Sequence, residues 1–212
     1  MMLSPEDITR CFTRDDGSYA FARWGRPIAP VVFGVEDETL GVIKSALQAV
    51  AQLGRIEIAE TDPELGANLM VFFFRDWAEL MQVPDLDRLI PELGPRVARL
   101  EAAEALQYRA FRFDEAGAIQ ASFVFLRMRG AMAELDAETL ALTQAVSLML
   151  LWSERAFSAR APLATLEDGR VVVKPEIAAL IRAAYDPVLP AAAQDPSHAL
   201  RLAARLALDP GV

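Results

Sequence analysis

The sequence predicts an α+β fold: a mixed β-sheet with a β-hairpin, packed against a central buried helix and C-terminal helices. Three observations carry this. Helical and strand-like periodicities alternate through the first half of the chain. Two strand-like runs flank Glu115-Ala116-Gly117 and read as a hairpin. A helix from Asp136 to about Phe157 is apolar nearly all round, which predicts burial.

Each element has a local reason. Ser4-Pro5-Glu6-Asp7 is a helix start, with Ser4 as cap, Pro5 at the first helical position and Asp7 completing an acidic capping box. The cluster Arg14-Asp15-Asp16-Gly17-Ser18 is a turn. Ile28-Ala29-Pro30-Val31-Val32-Phe33-Gly34 reads as a strand, and Pro30 places it at a sheet edge. From Asp37 to Leu53, Leu40, Ile43, Leu47 and Val50 recur at helical spacing, and Gly54 marks the stop. Arg55-Ile56-Glu57-Ile58-Ala59 alternates like a half-exposed strand.

Asn68 to Phe74 is a continuous apolar run, the pattern of a central strand covered on both faces. Residues 76–106 hold helical pieces broken by Pro84, Pro91, Gly94 and Pro95. The hairpin strands are Tyr108 to Asp114 and Ala118 to Met128. After the buried helix, a loop runs through Asp168-Gly169-Arg170, followed by helices over Pro175–Tyr185 and His198–Leu208. Nothing reads as a linker or repeat, so residues 1–212 are expected to form one domain.

Composition narrows the function classes. His198 is the only histidine and Cys11 the only cysteine in 212 residues. A zinc site needs three or four clustered ligands, and a Ser-His or Cys-His machine needs a placed imidazole. No serine sits in a Gly-x-Ser-x-Gly context, and no Gly-x-Gly occurs. Neither a catalytic residue, nor a metal ligand set, nor a cofactor is expected. The net charge of −9 argues against a nucleic-acid partner. The longest apolar stretch, Ala145 to Trp152, falls well short of the ~20 residues of a membrane span. The acidic N-terminus, with no apolar run behind it, predicts a cytoplasmic protein, or a periplasmic one if a leader has been removed.

Four segments carry a resemblance: Ala22-Arg23-Trp24, Asn68 to Phe73, Ala141-Leu142-Thr143-Gln144-Ala145 and Ala184-Tyr185-Asp186-Pro187-Val188-Leu189. The chain resembles an uncharacterised proteobacterial domain family of unknown function, often labelled putative lipoprotein. The resemblance implies no established activity, and many such relatives look exported. The element order is also similar to the zincin metallopeptidase scaffold. There a helix bears His-Glu-x-x-His; here Leu140-Ala141-Leu142-Thr143-Gln144 occupies its place. Leucine cannot bind zinc and alanine cannot act as a base.

The resulting expectation is a non-catalytic binding or interaction module on a degenerate peptidase-like scaffold, with an unknown protein or small-molecule partner and unknown oligomeric state. The alternative is a hydrolase using carboxylates or a metal they hold. The residues a binding role would draw on are Gln144, Thr143, Tyr185, Asp186 and Arg23. Gln144 otherwise reads as a buried amide satisfied by a neighbouring strand or loop. Tyr185-Asp186-Pro187 otherwise reads as a helix end. The three tryptophans are expected to be core anchors, Glu57, Glu60, Asp62 and Glu64 a solvated loop, and His198 exposed.

Overall fold

The computed structural model describes residues 3–208. Met1 and Met2, which the N-terminal reading includes, lie outside them. The chain begins with α1 (Pro5–Phe12), and the expected capping box forms: Ser4 Oγ accepts from Asp7 N, and Ser4 N donates to Asp7 Oδ2. A two-residue strand, β1 (Phe21–Ala22), follows, then β2 (Pro30–Phe33) and α2 (Asp37–Leu53). Next come β3 (Leu69–Phe74), a 3-10 turn over Trp77–Gln82, and the short helices α3 (Leu86–Leu89) and α4 (Leu93–Ala102). The hairpin is β4 (Gln107–Phe113) and β5 (Ile119–Arg127), and α5 (Ala137–Met149) follows it. The chain ends with β6 (Leu163–Thr165), β7 (Val171–Val173), α6 (Pro175–Ala184), β8 (Ala192–Ala193) and α7 (Ser197–Leu206).

The fold is α+β with a mixed sheet. Its four main strands are ordered β2-β3-β5-β4; β2, β3 and β5 are parallel, and β4 is antiparallel to β5. The apolar run Leu69–Phe74 is therefore interior, as its lack of alternation predicts, and Pro30 sits on an edge. One face of the sheet, with Val71, Val124 and Leu126, joins α2, α5 and α6 in the larger core. The other face, with Phe72, Phe74, Phe123 and Phe125, packs under Trp77, Leu86 and α4 in a second apolar cluster. Phe72 and Phe125 stack there at 5.1 Å. Trp24 and Trp77 are fully buried, and Trp152 is half-buried, stacked on Phe12 at 5.5 Å.

Several expectations are corrected. Residues 55–59 do not form a strand. Ile28 N donates to the Glu57 carbonyl and Ala59 N to the Ile28 carbonyl, a single bridge, because Arg55 turns the chain at a positive φ of 53°. The loop after α5 contains the β6–β7 hairpin, turned at Gly169 with φ +86°. Gly94 and Pro95 do not break a helix; they lie in the first turn of α4, where a missing N–H costs nothing. Asp62 is buried, not solvated: Asn68 Nδ2 donates to its Oδ2 at 3.0 Å, and the N–H groups of Glu64 and Leu65 donate to Oδ1. Burial pushes its carboxyl up, but those N–H groups, with Arg26 and Asn68, hold it below the usual carboxylate range.

The buried helix stops at Met149, not Phe157. The apolar pattern continues through Leu150-Leu151-Trp152, but three aromatic side chains take the terminal carbonyls. Trp24 Nε1 donates to the Leu148 carbonyl at 2.8 Å, Tyr185 Oη to Met149 at 2.7 Å, and Trp152 Nε1 to Val146 at 2.9 Å. Helix ends leave such carbonyls unsatisfied, and here tertiary donors do the capping. Leu150 then runs extended beside Arg23. His198 is also corrected. It is 3% exposed, on the α7 stripe with Ala199, Leu202 and Leu206, its ring 4.2 Å from that of Phe21.

Candidate anion-binding groove

A cavity of about 830 Å³ lies along β4. Every residue from Gln107 to Phe113 lines it. The opposite walls come from Thr143 and Ser147 on α5, from the segment Leu151 to Glu154 with Phe157 and Pro162, and from Arg14. Four arginines reach the groove: Arg14, Arg96, Arg109 and Arg112. In a chain of net charge −9 this is a local reversal of sign.

The alternation of β4 explains where each side chain goes. Phe111 joins the core beneath α5, while Tyr108 and Ala110 join the cluster on the opposite face. Arg109 shares the face of Phe111 and so turns inward, toward α5. Its Nη2 donates to Gln144 Oε1 at 2.8 Å and to Gln107 Oε1 at 3.0 Å, and Gln144 Nε2 donates to Gln107 Oε1 at 3.3 Å. Two neutral amides thus hold a guanidinium, and its Nε is buried without a partner. Burial pushes the Arg109 pKa down to about 10, which leaves the group charged at neutral pH.

The other arginines are fixed by different contacts. Arg14 pairs with Glu154 at 3.0 Å. Arg96 Nη1 donates to Tyr108 Oη at 2.6 Å, and its Nε is buried without a partner. Arg112 Nη2 donates to the Leu89 carbonyl at 2.5 Å, and its guanidinium lies 5.3 Å from the Phe123 ring centre. Among the described residues, no carboxylate lies within 4.0 Å of Arg96, Arg109 or Arg112.

The structure divides the five residues the sequence points to. Thr143 lines the groove, its hydroxyl donating back to the Thr139 carbonyl at 2.7 Å, and the buried Gln144 anchors Arg109. Gln144 is a satisfied buried amide, but its partner is a strand's side chain and not a backbone group. Arg23, Tyr185 and Asp186 lie elsewhere, around a separate cavity of about 400 Å³ beside Gly54 and Arg55. There Tyr185 caps α5, and Arg23 Nη2 donates to the Leu189 carbonyl at 3.3 Å. Asp186 accepts from Val188 N at 2.9 Å and pairs with Arg205 on α7 at 3.4 Å.

The sequence reading misses Arg109, Arg96, Arg112 and Arg14. For Arg109 a signal was present. In Gln107-Tyr108-Arg109-Ala110-Phe111 the period of two puts Arg109 on the face of Phe111, and a charge on an inward face needs a reason. For the rest, only tertiary packing gathers them.

Among the described residues, no group of three or more His, Cys, Asp and Glu side chains is placed to hold a metal ion. Leu140 and Ala141 are buried apolar residues of α5. No helix is long and apolar enough to cross a membrane among the described residues. Compared with family models, curated proteins and solved structures, the chain matches none.

Proposed function

We propose that the protein is a non-catalytic binding module that holds an anionic ligand in the groove along β4. The observation that carries this is Arg109, a charged side chain sunk into the groove wall with only amide acceptors. Burying a charge costs several kcal/mol unless an opposite charge offsets it. A carboxylate or phosphate entering the groove supplies that charge, so that the guanidinium no longer rests on neutral amides alone. Phe111, Phe113, Trp152 and Phe157 offer apolar walls, so a ligand with an anionic head and an apolar body fits best. This reading does not depend on a peptidase-like ancestry.

The test uses Trp152, which lines the groove. Intrinsic fluorescence is followed while 4-phenylbutyrate, or its neutral amide, is titrated into the protein. The acid should give a saturable change that weakens with added salt, and the amide should not. Arg109→Met should abolish the response. An equal response from the amide, or none from the acid, overturns the reading.

A further inference from the structure

Resting on the anion-binding reading of the groove, we propose that the ligand is an extended acidic segment of another protein, which adds to the open edge of β4 as a fifth strand. β4 ends the sheet order β2-β3-β5-β4, so among the described residues β5 is its one strand neighbour. Its pairing fixes which backbone groups face outward. Tyr108 pairs with Phe125, Ala110 with Phe123 and Arg112 with Ala121, and at the two ends Arg127 N donates to the Leu106 carbonyl and Asp114 N to the Ala118 carbonyl. On the other side of β5, Ser122 N donates to the Asn68 carbonyl next to β3. Alternate residues of an antiparallel strand exchange bonds with the partner. Leu106, Tyr108, Ala110 and Arg112 therefore turn their N–H and C=O groups to β5. Gln107, Arg109 and Phe111 turn theirs outward, into the groove.

The two edges of the sheet differ. β2 is four residues long and carries Pro30, which blunts an edge. β4 has seven residues and no proline or lysine. It spans roughly 20 Å at ~3.3 Å per residue, room for about five or six residues of a partner.

An inward-pointing charge normally protects an edge from promiscuous pairing. Arg109 is such a charge, and it makes the edge selective. A neutral strand laid on β4 would seal the guanidinium away from water without a counter-charge. A strand with a carboxylate directly beside Arg109, where cross-strand side chains stand ~5 Å apart, would pair it. Arg112 lies three positions on and therefore on the opposite face, where Arg96 and Tyr108 also lie. The partner thus carries two acidic residues three apart, one for each face, with apolar residues between them for Phe111, Trp152 and Phe157.

The probe is the fluorescein-labelled heptapeptide Val-Glu-Val-Val-Glu-Val-Thr, followed by anisotropy on the whole protein. Binding should weaken about tenfold or more when both glutamates become glutamine. N-methylation of one alternating set of amides should weaken it about tenfold, and of the other set hardly at all, because only one edge of the peptide faces β4. Phe111→Pro removes an outward N–H that no ladder uses, and should bind less well than Phe111→Ala, which keeps it. Loss with both methylated sets alike, loss with neither, or equal affinity of the two variants overturns strand addition. So does a peptide that fails to bind while 4-phenylbutyrate binds, and the anion-binding reading then stands. If neither ligand binds, both readings fall.

Discussion

The Trp24 indole N–H donates to the Leu148 carbonyl at 2.8 Å, and both residues are buried. This bond ties the N-terminal segment to the end of α5. Tyr185, entering from the end of α6, takes the next carbonyl, that of Met149, and its hydroxyl also accepts from Trp24 N at 3.4 Å. The end of the buried helix is thus where three distant parts of the chain meet.

Tyr185→Phe should therefore destabilise the protein by about 1–3 kcal/mol, because it strands the Met149 carbonyl in a buried setting. Leu148→Ala, at the same helix end, should cost about 2–5 kcal/mol through the cavity it leaves. Urea denaturation with unchanged slope measures both. A Tyr185→Phe variant as stable as the wild type would mean that its hydroxyl does not cap α5.

What the sequence made legible was what short-range pattern decides. The bounds of α2, the interior strand at Leu69–Phe74 and the hairpin follow from apolar spacing and turn residues. What it hid was tertiary. The apolar pattern around Leu150 does not say that a helix ends there, because two of the three donors that end it, Trp24 and Tyr185, lie 124 and 36 residues from the carbonyls they take. Gly54 reads as a helix stop, yet its φ is −87°; what needs glycine is the Tyr185 ring, 2.7 Å from where a Cβ would stand. The groove was hidden for the same reason. Gln144 stood out because it is polar on an apolar helix, but its partner Arg109 becomes visible only when β4 is laid against α5.

The pair Arg109 and Gln144 should behave as a unit. Gln144→Leu removes the 2.8 Å acceptor from a buried guanidinium, and should cost about 1.5–3 kcal/mol, the range for hydrogen bonds to charged groups. Arg109→Met with Gln144→Leu removes charge and amide together. That double variant should recover most of the loss, or exceed the wild type, since replacing buried charges by apolar groups is often stabilising. A double-mutant cycle from thermal or urea melts measures the coupling. Additive losses would mean that the two side chains do not depend on each other.

Cys11 should be inert in the native state. It is 5% exposed, and burial, with Asp7 nearby, pushes its thiol pKa up to about 11. Reaction with a disulfide reagent at neutral pH should be slow and should accelerate sharply in urea. Rapid, complete labelling without denaturant would contradict the placement of α1 against the core.

Stability should fall as pH drops from about 6.5 to about 4, and His198 should account for a definable part of the fall. Its ring is buried between Phe21 and Tyr19, Nδ1 lies 3.1 Å from Tyr19 Oη, and Nε2 is buried without a partner. In the doubly protonated ring Nε2–H has no acceptor, and Arg201 adds repulsion, so burial first and that charge second push the pKa down to about 4. The unfolded chain takes up the proton near the ordinary value of 6.5. Above pH 6.5 both states hold a neutral ring, and the stability contribution is complete. Between 6.5 and 4 the unfolded state binds the proton that the folded state refuses, so stability falls by about 1.4 kcal/mol per pH unit. Below about 4 both states are protonated and this term levels off. His198→Phe keeps an aromatic ring in the site and removes the titration. The difference between wild type and His198→Phe, measured by urea melts from pH 7.5 to 4, cancels the carboxylates common to both. It should be flat above pH 6.5 and should move in favour of the variant below it. A difference that stays flat across the whole range would show that the ring takes up its proton as readily in the fold as in the unfolded chain.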